Sequence, residues 1–253
     1  MATYKRRGYK SKSNKQNEVN QHQDSTTAEV FSSLDETASK TEQWVAKYQK
    51  YILVSIVGVA LATIGFLGYS QYVLQPKETE AANELYYPQQ YFELALQDGT
   101  AKDSLLTLAL YGGEGKYGFV DIIEEYSGTK AANMAEYGAG MASLNLKDYQ
   151  NAISYLDGFS SDDAILGALA KGGVGDAFSQ LNQYQDALEY YVAAFEHSDN
   201  SFTTPKFLYK AAVMAMELDQ KSKAKTFIEE IKSKYPGSAE GQYAEALVSM
   251  LGA

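Results

Sequence analysis

The chain of 253 residues contains no cysteine and two histidines. Without cysteine there is no thiolate-ligated zinc, iron–sulfur cluster, cysteine nucleophile, disulfide or cysteine-linked lipid. His22 lies in a polar N-terminal stretch and His197 lies near a turn, and neither has a partner pattern for metal binding or nucleophile activation. We therefore expect no metal, no cofactor and no enzymatic activity.

Charge is absent between Tyr51 and Gln75, a run of 25 residues without Asp, Glu, Lys or Arg. At about 1.5 Å of rise per residue, a helix of this length crosses a hydrocarbon core of roughly 30 Å. The run predicts a transmembrane helix over 51–75. The alternative is a buried core helix of a soluble domain, although such helices seldom continue so far without one charge.

Basic residues indicate the orientation of this span. Lys40, Lys47 and Lys50 precede it, whereas Lys77 alone follows closely and acidic residues come next. By the positive-inside rule, the N-terminal tail stays in the cytoplasm and the C-terminal body is exported. Fifty residues precede the run, which favours a permanent signal anchor over a cleaved signal peptide.

The two flanks of the span differ in charge. Residues 1–50 carry nine Lys and Arg against six Asp and Glu, whereas residues 76–253 carry thirteen against twenty-six. The acidic body argues against nucleic acid as its main partner. Residues 1–33 predict a disordered cytoplasmic tail, and residues 34–50 a juxtamembrane helix. The basic cluster in 5–15 either contacts anionic lipid or ribosomal RNA, or only sets the topology.

Small residues form one stripe of the predicted span. Such a stripe allows another membrane helix to approach closely, or it reflects the general frequency of glycine in such helices. Its members are Ser55, Gly58, Ala62, Gly65 and Gly68.

Residues 76–128 predict the helical N-terminal part of the exported body, with Pro88 kinking or restarting a helix. Gly115-Lys116 lacks the glycine spacing and the Ser or Thr of a phosphate-binding loop, so residues 112–115 predict a turn. Gly172-Gly173-Val174-Gly175 does not follow a strand and is no dinucleotide fingerprint.

Residues 129–253 repeat themselves. Ala152, Ala187 and Ala224 are 35 and 37 residues apart, and the small residues Gly140, Gly175 and Ala212 keep the same offsets. This pattern resembles the tetratricopeptide repeat, with the middle copy matching best and Pro236 closing the third. The resemblance implies an all-α solenoid of helix pairs in which each repeat buries its apolar face against its neighbours, with 238–252 as a capping helix.

In that family the first helix of each pair lines a groove that binds proteins. The resemblance therefore implies a soft groove rich in Met, Leu and Tyr, with one lysine, suited to extended or partly unfolded segments. The alternative is that several of these residues are inter-repeat core. The implied residues are Met134, Tyr137, Met141, Leu144, Asn145, Leu169, Gly172, Asp176, Ser179, Gln180, Lys206, Tyr209, Val213, Met216 and Glu217.

The whole layout, with residues 119–141 leading into the repeats, resembles the ancillary subunit of the bacterial Sec translocon in membrane-anchored tetratricopeptide proteins of Bacteroidota type. The resemblance implies a single-pass inner-membrane protein with its repeats in the periplasm. Its implied partners are the translocon subunits, a membrane-anchored peptidyl-prolyl isomerase-like chaperone and newly exported proteins. Its implied role is that of an adaptor or holding chaperone. The alternative is a structural scaffold of another envelope assembly or secretion machine.

Overall fold

The structure, a computed structural model, describes residues 26–97 and 101–251. Within these ranges it contains twelve α-helices, one π-helical turn and, in place of strands, one isolated bridge between Gly113 and Lys116. The all-α prediction is therefore confirmed. Residues 1–25, most of the predicted basic tail, lie outside the described residues. The chain divides into two units, the first ending at Leu67 and the second beginning at Gly68.

The described part of the first unit belongs to one long helix, α1 (Thr26–Tyr69), whose last two residues are counted with the second unit. The helix includes residues 26–33, which the sequence assigned to the tail, and continues into the predicted span without a break at residue 50. Its apolar side chains are exposed, with Val59 67%, Leu61 65% and Ile64 66% accessible. Among the described residues of this unit, these side chains are not covered.

One helical stretch in the described part of the chain, Glu42–Gln97, is long and apolar enough to cross a membrane, judged by length and composition. None of its most apolar residues is buried. The hydroxyl of Thr63 donates a 2.8 Å hydrogen bond to the carbonyl of Val59 one turn earlier. This polar side chain is therefore satisfied by the helix's own backbone and needs no water.

The second unit begins with a π-helical turn and four short helices. The break predicted near Pro88 occurs at Leu85, between two of these helices, because Pro88 has no N–H to offer the carbonyl one turn earlier. The elements are the π-turn Ser70–Leu74, α2 (Gln75–Glu84), α3 (Tyr86–Gln97), α4 (Lys102–Tyr111) and α5 (Phe119–Glu125).

The glycine-rich segment after α4 is a turn, as predicted. Gly112 has φ of 71°, and a Cβ at that position would overlap the backbone of Lys116. Only glycine fits such a position without strain. Gly113 and Lys116 exchange backbone hydrogen bonds of 2.9 and 3.2 Å, which close the turn. The segment returns the chain to α5.

Helix α2 is fixed to the start of the first repeat helix. The two carboxylate oxygens of Glu78 accept hydrogen bonds from the backbone N–H groups of Lys130 and Ala131, at 2.7 and 2.9 Å. These donors belong to the first turn of a helix and have no partners within it. The helix dipole also favours a negative charge there. Lys77 reinforces the contact by donating to the carbonyl of Ser127 at 3.3 Å.

Three helix pairs and a final helix follow. The members are α6 (Lys130–Asn145) with α7 (Tyr149–Gly158), α8 (Leu166–Gln180) with α9 (Tyr184–His197), α10 (Thr203–Glu217) with α11 (Lys221–Lys234), and α12 (Ala239–Leu251).

The turns inside the three pairs have one geometry. Lys147, Asn182 and Asp219 occupy the left-handed region with φ of 65°, 59° and 56°. The backbone N–H of the next residue donates in each case to the carbonyl five residues earlier, at 2.9, 2.9 and 2.8 Å. This is a Schellman-type helix end. The three turns are 35 and 37 residues apart, the same offsets that the sequence showed.

The repeated small residues lie where the paired helices touch. Ala152, Ala187 and Ala224 are each fully buried. A Cβ at Gly175 would lie 2.7 Å from the Tyr191 ring, and one at Gly140 would overlap Leu156. Larger side chains would push the helices apart, so these positions set the spacing within each pair. The predicted arrangement of repeating helix pairs is confirmed.

The final helix α12 covers the last pair. Its Ala244 and Leu247 are buried in the same apolar cluster as Phe227 and Ile231 of α11. Pro236 follows the end of α11 at Lys234, where it cannot continue the helix. The helix predicted over 238–252 is therefore present, with described bounds Ala239–Leu251.

Candidate protein-binding groove

A groove of about 550 Å³ lies along the first helices of the three pairs, and we call it the central groove. Its floor comes from α6, α8 and α10, and the turn between α6 and α7 closes one side. Its lining mixes apolar, amide, tyrosine and charged side chains. The lining residues are Leu144, Asn145, Lys147, Tyr149, Asp176, Ser179, Gln180, Tyr191, Tyr209, Lys210, Val213 and Met214.

Seven of the fifteen residues that the sequence assigned to a groove line this one. They come from the C-terminal halves of α6 and α8 and from the middle of α10, which the helix pairing brings side by side. The seven are Leu144, Asn145, Asp176, Ser179, Gln180, Tyr209 and Val213.

The other eight lie elsewhere. Met141 packs on the apolar cluster between α7 and α8, and Leu169 and Met216 pack on the apolar cluster that runs from α8 to α12. Such packing between repeats was the alternative to a place in the groove. Gly172 is buried under the ring of Phe207. Lys206 and Glu217 are outside the groove lining. The remaining two, Met134 and Tyr137, line a separate pocket.

The centre of the groove is an ion pair between Asp176 and Lys210. The Lys210 ammonium donates to the Asp176 carboxylate at 2.5 Å, and the Tyr191 hydroxyl donates to the same oxygen at 2.6 Å. Burial raises the pKa of the Tyr191 phenol, and the neighbouring carboxylate raises it further. Asp176 therefore holds a cation and a buried hydroxyl in fixed positions facing the groove.

Lys206, the single lysine among the predicted groove residues, lies outside this lining. Lys147 and Lys210 line the groove instead. Lys147 was missed because it lies in the turn after α6, whereas the family pattern considers only positions on the first helix of each pair. Lys210 was missed because it follows Tyr209 directly, and two consecutive helical residues seldom share one narrow stripe. The groove is wide enough for both Tyr209 and Lys210 to line it.

A second, smaller pocket lies near the other end of α6, and we call it the end pocket. It has a volume of about 260 Å³ and is mostly apolar. Helices α3 and α5 contribute four of its seven lining residues, which no pattern in the repeats predicts. Its lining residues are Gln89, Phe92, Glu93, Phe119, Met134, Tyr137 and Gly138.

A third cavity of about 400 Å³ lies among α7, α8 and α9. Here the Lys171 ammonium is 3.3 Å from Nδ1 of His197, whose Nε2 is 3.1 Å from the backbone carbonyl of Asp163. Both ring nitrogens of His197 thus have structural partners. Among residues 26–97 and 101–251 no three His, Asp or Glu side chains form a group that could hold a metal ion. That the protein is not an enzyme stays a prediction.

The small residues predicted as a packing stripe on α1 lie in open space within the part of the chain that the structure describes. A Cβ added at Gly58, Gly65 or Gly68 would have no atom within 4 Å, and Ser55 and Ala62 are exposed. Whether the stripe contacts another helix stays a prediction.

Comparison with known proteins gives one family. A tetratricopeptide repeat model matches residues 207–238, which comprise most of α10, all of α11 and Pro236. The match therefore falls on the third copy, not on the middle copy that the sequence favoured. No curated protein and no solved structure matches the chain. The match and the repeating helix pairs support a protein of tetratricopeptide-repeat type, a class whose repeats generally bind other proteins.

Proposed function

We propose that this protein is a single-pass membrane protein whose repeats bind extended protein segments, acting as an adaptor or holding chaperone beside the Sec translocon in the periplasm. The observation on which this proposal depends is the succession, in one chain, of an exposed apolar helix and a set of helix pairs with a central groove. The proposed function involves binding and has no catalytic step.

The dimensions of α1 support the membrane part of the proposal. Tyr51 and Tyr69 are 70% and 57% exposed, and the 18 positions from one to the other correspond to a rise of about 27 Å along a helix. This length suits a hydrocarbon core of roughly 30 Å with tyrosines at both interfaces. Trp44 and Tyr48, whose rings are 5.3 Å apart, extend the aromatic belt on the N-terminal side.

The contents of the central groove support the binding part. A chaperone-like site needs adaptable apolar contacts together with polar groups that accept many partners. Leu144 and Val213 supply the former, since both are half-buried. The Asn145 amide donates to the Met141 carbonyl and the Gln180 amide accepts from the Tyr149 hydroxyl, and each keeps further donors or acceptors for a bound backbone. Because Asp176 neutralises Lys210, the groove floor does not demand a strongly charged ligand.

The translocon part rests on the resemblance in layout and on the predicted orientation. It is tested by placing a photoreactive phenylalanine analogue at Tyr209 in the central groove, at Tyr137 in the end pocket and at Gly65 in α1. We expect adducts from Tyr209 and Tyr137 with newly exported proteins or translocon partners, and from Gly65 with a translocon membrane helix. The exposed Tyr243 on α12 is the matched control and is expected to give few adducts.

Adducts only with components of another envelope assembly, unchanged when export is blocked, would contradict the translocon part and favour the scaffold alternative. Equal adduct yields from Tyr243 and Tyr209 would contradict the use of the groove itself.

A further inference from the structure

The central groove and the end pocket share one face of α6. Met134, Tyr137 and Gly138 line the end pocket, and Leu144 and Asn145 line the central groove. Numbered from Met134, these residues follow i, i+3, i+4, i+10 and i+11, which places them on one stripe of a helix. Met141, the half-buried i+7 member of the stripe, lies between the two sites. One ligand lying along α6 can therefore reach both.

The two ends of this face have opposite charge. Glu93, which is exposed, lines the end pocket, and Lys147, also exposed, lines the central groove together with Lys210. The groove lining holds two lysines and one aspartate, although residues 76–253 as a whole have twice as many acidic as basic residues. The local charge thus differs in sign from that of the surrounding body.

The distance between the sites sets a spacing for the ligand. The middle of the end-pocket segment of α6 precedes Leu144 by about eight residues, or roughly 12 Å along the helix axis. An extended chain advances about 3.3 Å per residue, so this distance corresponds to about four residues. In an extended chain, residues two and four apart point to the same side. A residue and its i+4 neighbour can therefore face both sites at once.

We propose that the ligand of this face is an extended polypeptide segment in which an aliphatic residue has a basic residue two positions away on one side and an acidic residue four positions away on the other. The aliphatic side chain enters the end pocket among Phe92, Met134 and Tyr137. The basic residue pairs with Glu93, and the acidic residue pairs with Lys147. This inference rests on the proposed function, since it names the class of segment that the repeats bind.

The test uses fluorescently labelled twelve-residue peptides of identical composition and the full chain in detergent micelles. One peptide has the order Lys-x-Leu-x-x-x-Glu and another the order Glu-x-Leu-x-x-x-Lys. By fluorescence anisotropy we expect the first to bind about fivefold to tenfold more tightly, because two exposed ion pairs are replaced by two like-charge contacts. The double variant Glu93→Lys with Lys147→Glu is expected to reverse this preference.

A second variant tests the end pocket without changing the charge of its lining. Gln89→Trp places an indole in the pocket and is expected to weaken the first peptide about tenfold. Gln90→Trp, exposed on the same helix and outside the lining, is the matched control and should leave binding unchanged.

The outcomes separate the two proposals. If both peptides bind equally, and binding is lost on Val213→Asp but not on Gln89→Trp, the ordered segment is wrong and groove binding stands. If neither peptide binds and no adducts form from Tyr209 in the crosslinking experiment, both proposals are wrong.

Discussion

Glycine in α1 and glycine in the repeats have different surroundings. A Cβ added at Gly58 or Gly65 would meet nothing within 4 Å, whereas one at Gly172 would overlap the Phe207 ring. The same contrast holds for large apolar side chains, since Ile64 of α1 is 66% exposed and Leu188 of α9 is fully buried. The repeats complete their packing within the chain. In the described residues α1 keeps its apolar surface exposed, and by length and composition it is long and apolar enough to cross a membrane.

The largest expected effect comes from placing charge in α1. Leu61→Asp with Ile64→Asp puts two carboxylates near the middle of the apolar run, at a cost of roughly 5–7 kcal/mol for membrane insertion. We expect the variant to leave the membrane fraction after carbonate washing, while the repeats keep their thermal transition.

The control is Leu61→Val with Ile64→Val, which keeps the run apolar. Full membrane retention of the double aspartate variant would break the contrast between the two regions, because α1 would then be held by protein contacts.

Truncation of a buried ring in the repeats should lower the stability of the repeats and leave membrane retention unchanged. Phe207 is 1% exposed, and its ring stacks on Tyr191 with centroids 6.3 Å apart. We expect Phe207→Ala to lower the free energy of unfolding by about 3–5 kcal/mol, without changing membrane retention. Urea unfolding followed by circular dichroism measures this loss.

Phe202, 61% exposed, is the matched aromatic, and Phe202→Ala should cost less than about 0.5 kcal/mol. Similar losses for the two variants would show that the repeats are not packed as described.

Substituting glycines compares the two regions most directly. Gly172→Ala adds a methyl group against the Phe207 ring and should destabilise the repeats by about 1–3 kcal/mol. Gly65→Ala adds the same group in open space and should leave the unfolding midpoint unchanged. If Gly65→Ala lowered the midpoint as much as Gly172→Ala, α1 would be packed in the isolated protein.

The smallest expected effect is a dependence on alkaline pH. The folded protein raises the pKa of Tyr191 above its ordinary value of about 10, so the unfolded chain loses this proton first as the pH rises. The Tyr191 contribution to stability is complete below pH 10 and declines above it. We expect Tyr191→Phe to flatten the fall in unfolding free energy above pH 10, and Tyr243→Phe, an exposed tyrosine, to leave it unchanged. An equally steep fall in Tyr191→Phe would exclude this phenol as the cause.

The repeat architecture could be predicted because packing imposes it on the sequence at fixed spacing. Ala152, Ala187 and Ala224 lie where two helices cross, and each must be small for that reason. The same offsets recur in the left-handed turn residues. The apolar run of α1 could also be recognised from the sequence, since a stretch without charged residues is a local property of the chain.

The groove was predictable only in part. Asp176 and Tyr209, which the repeat offsets selected, line the central groove, but Tyr191 and Lys147 reach it from a second helix and a turn. The contacts of Glu78 with Lys130 and of Phe119 with Gly138 join segments that are distant or lack a repeat pattern. Such contacts depend on how the N-terminal helices fold back, which no periodicity encodes.

The topology of the chain tests the central claim most directly. Because the protein has no cysteine, a single one introduced at Ser13 or at the exposed Lys221 is unique. On intact spheroplasts, a membrane-impermeant maleimide should label the Lys221→Cys variant and should label Ser13→Cys only after the membrane is permeabilised. Labelling of Ser13→Cys alone on intact spheroplasts, or recovery of both variants as soluble protein, would contradict a membrane-anchored repeat protein facing the periplasm.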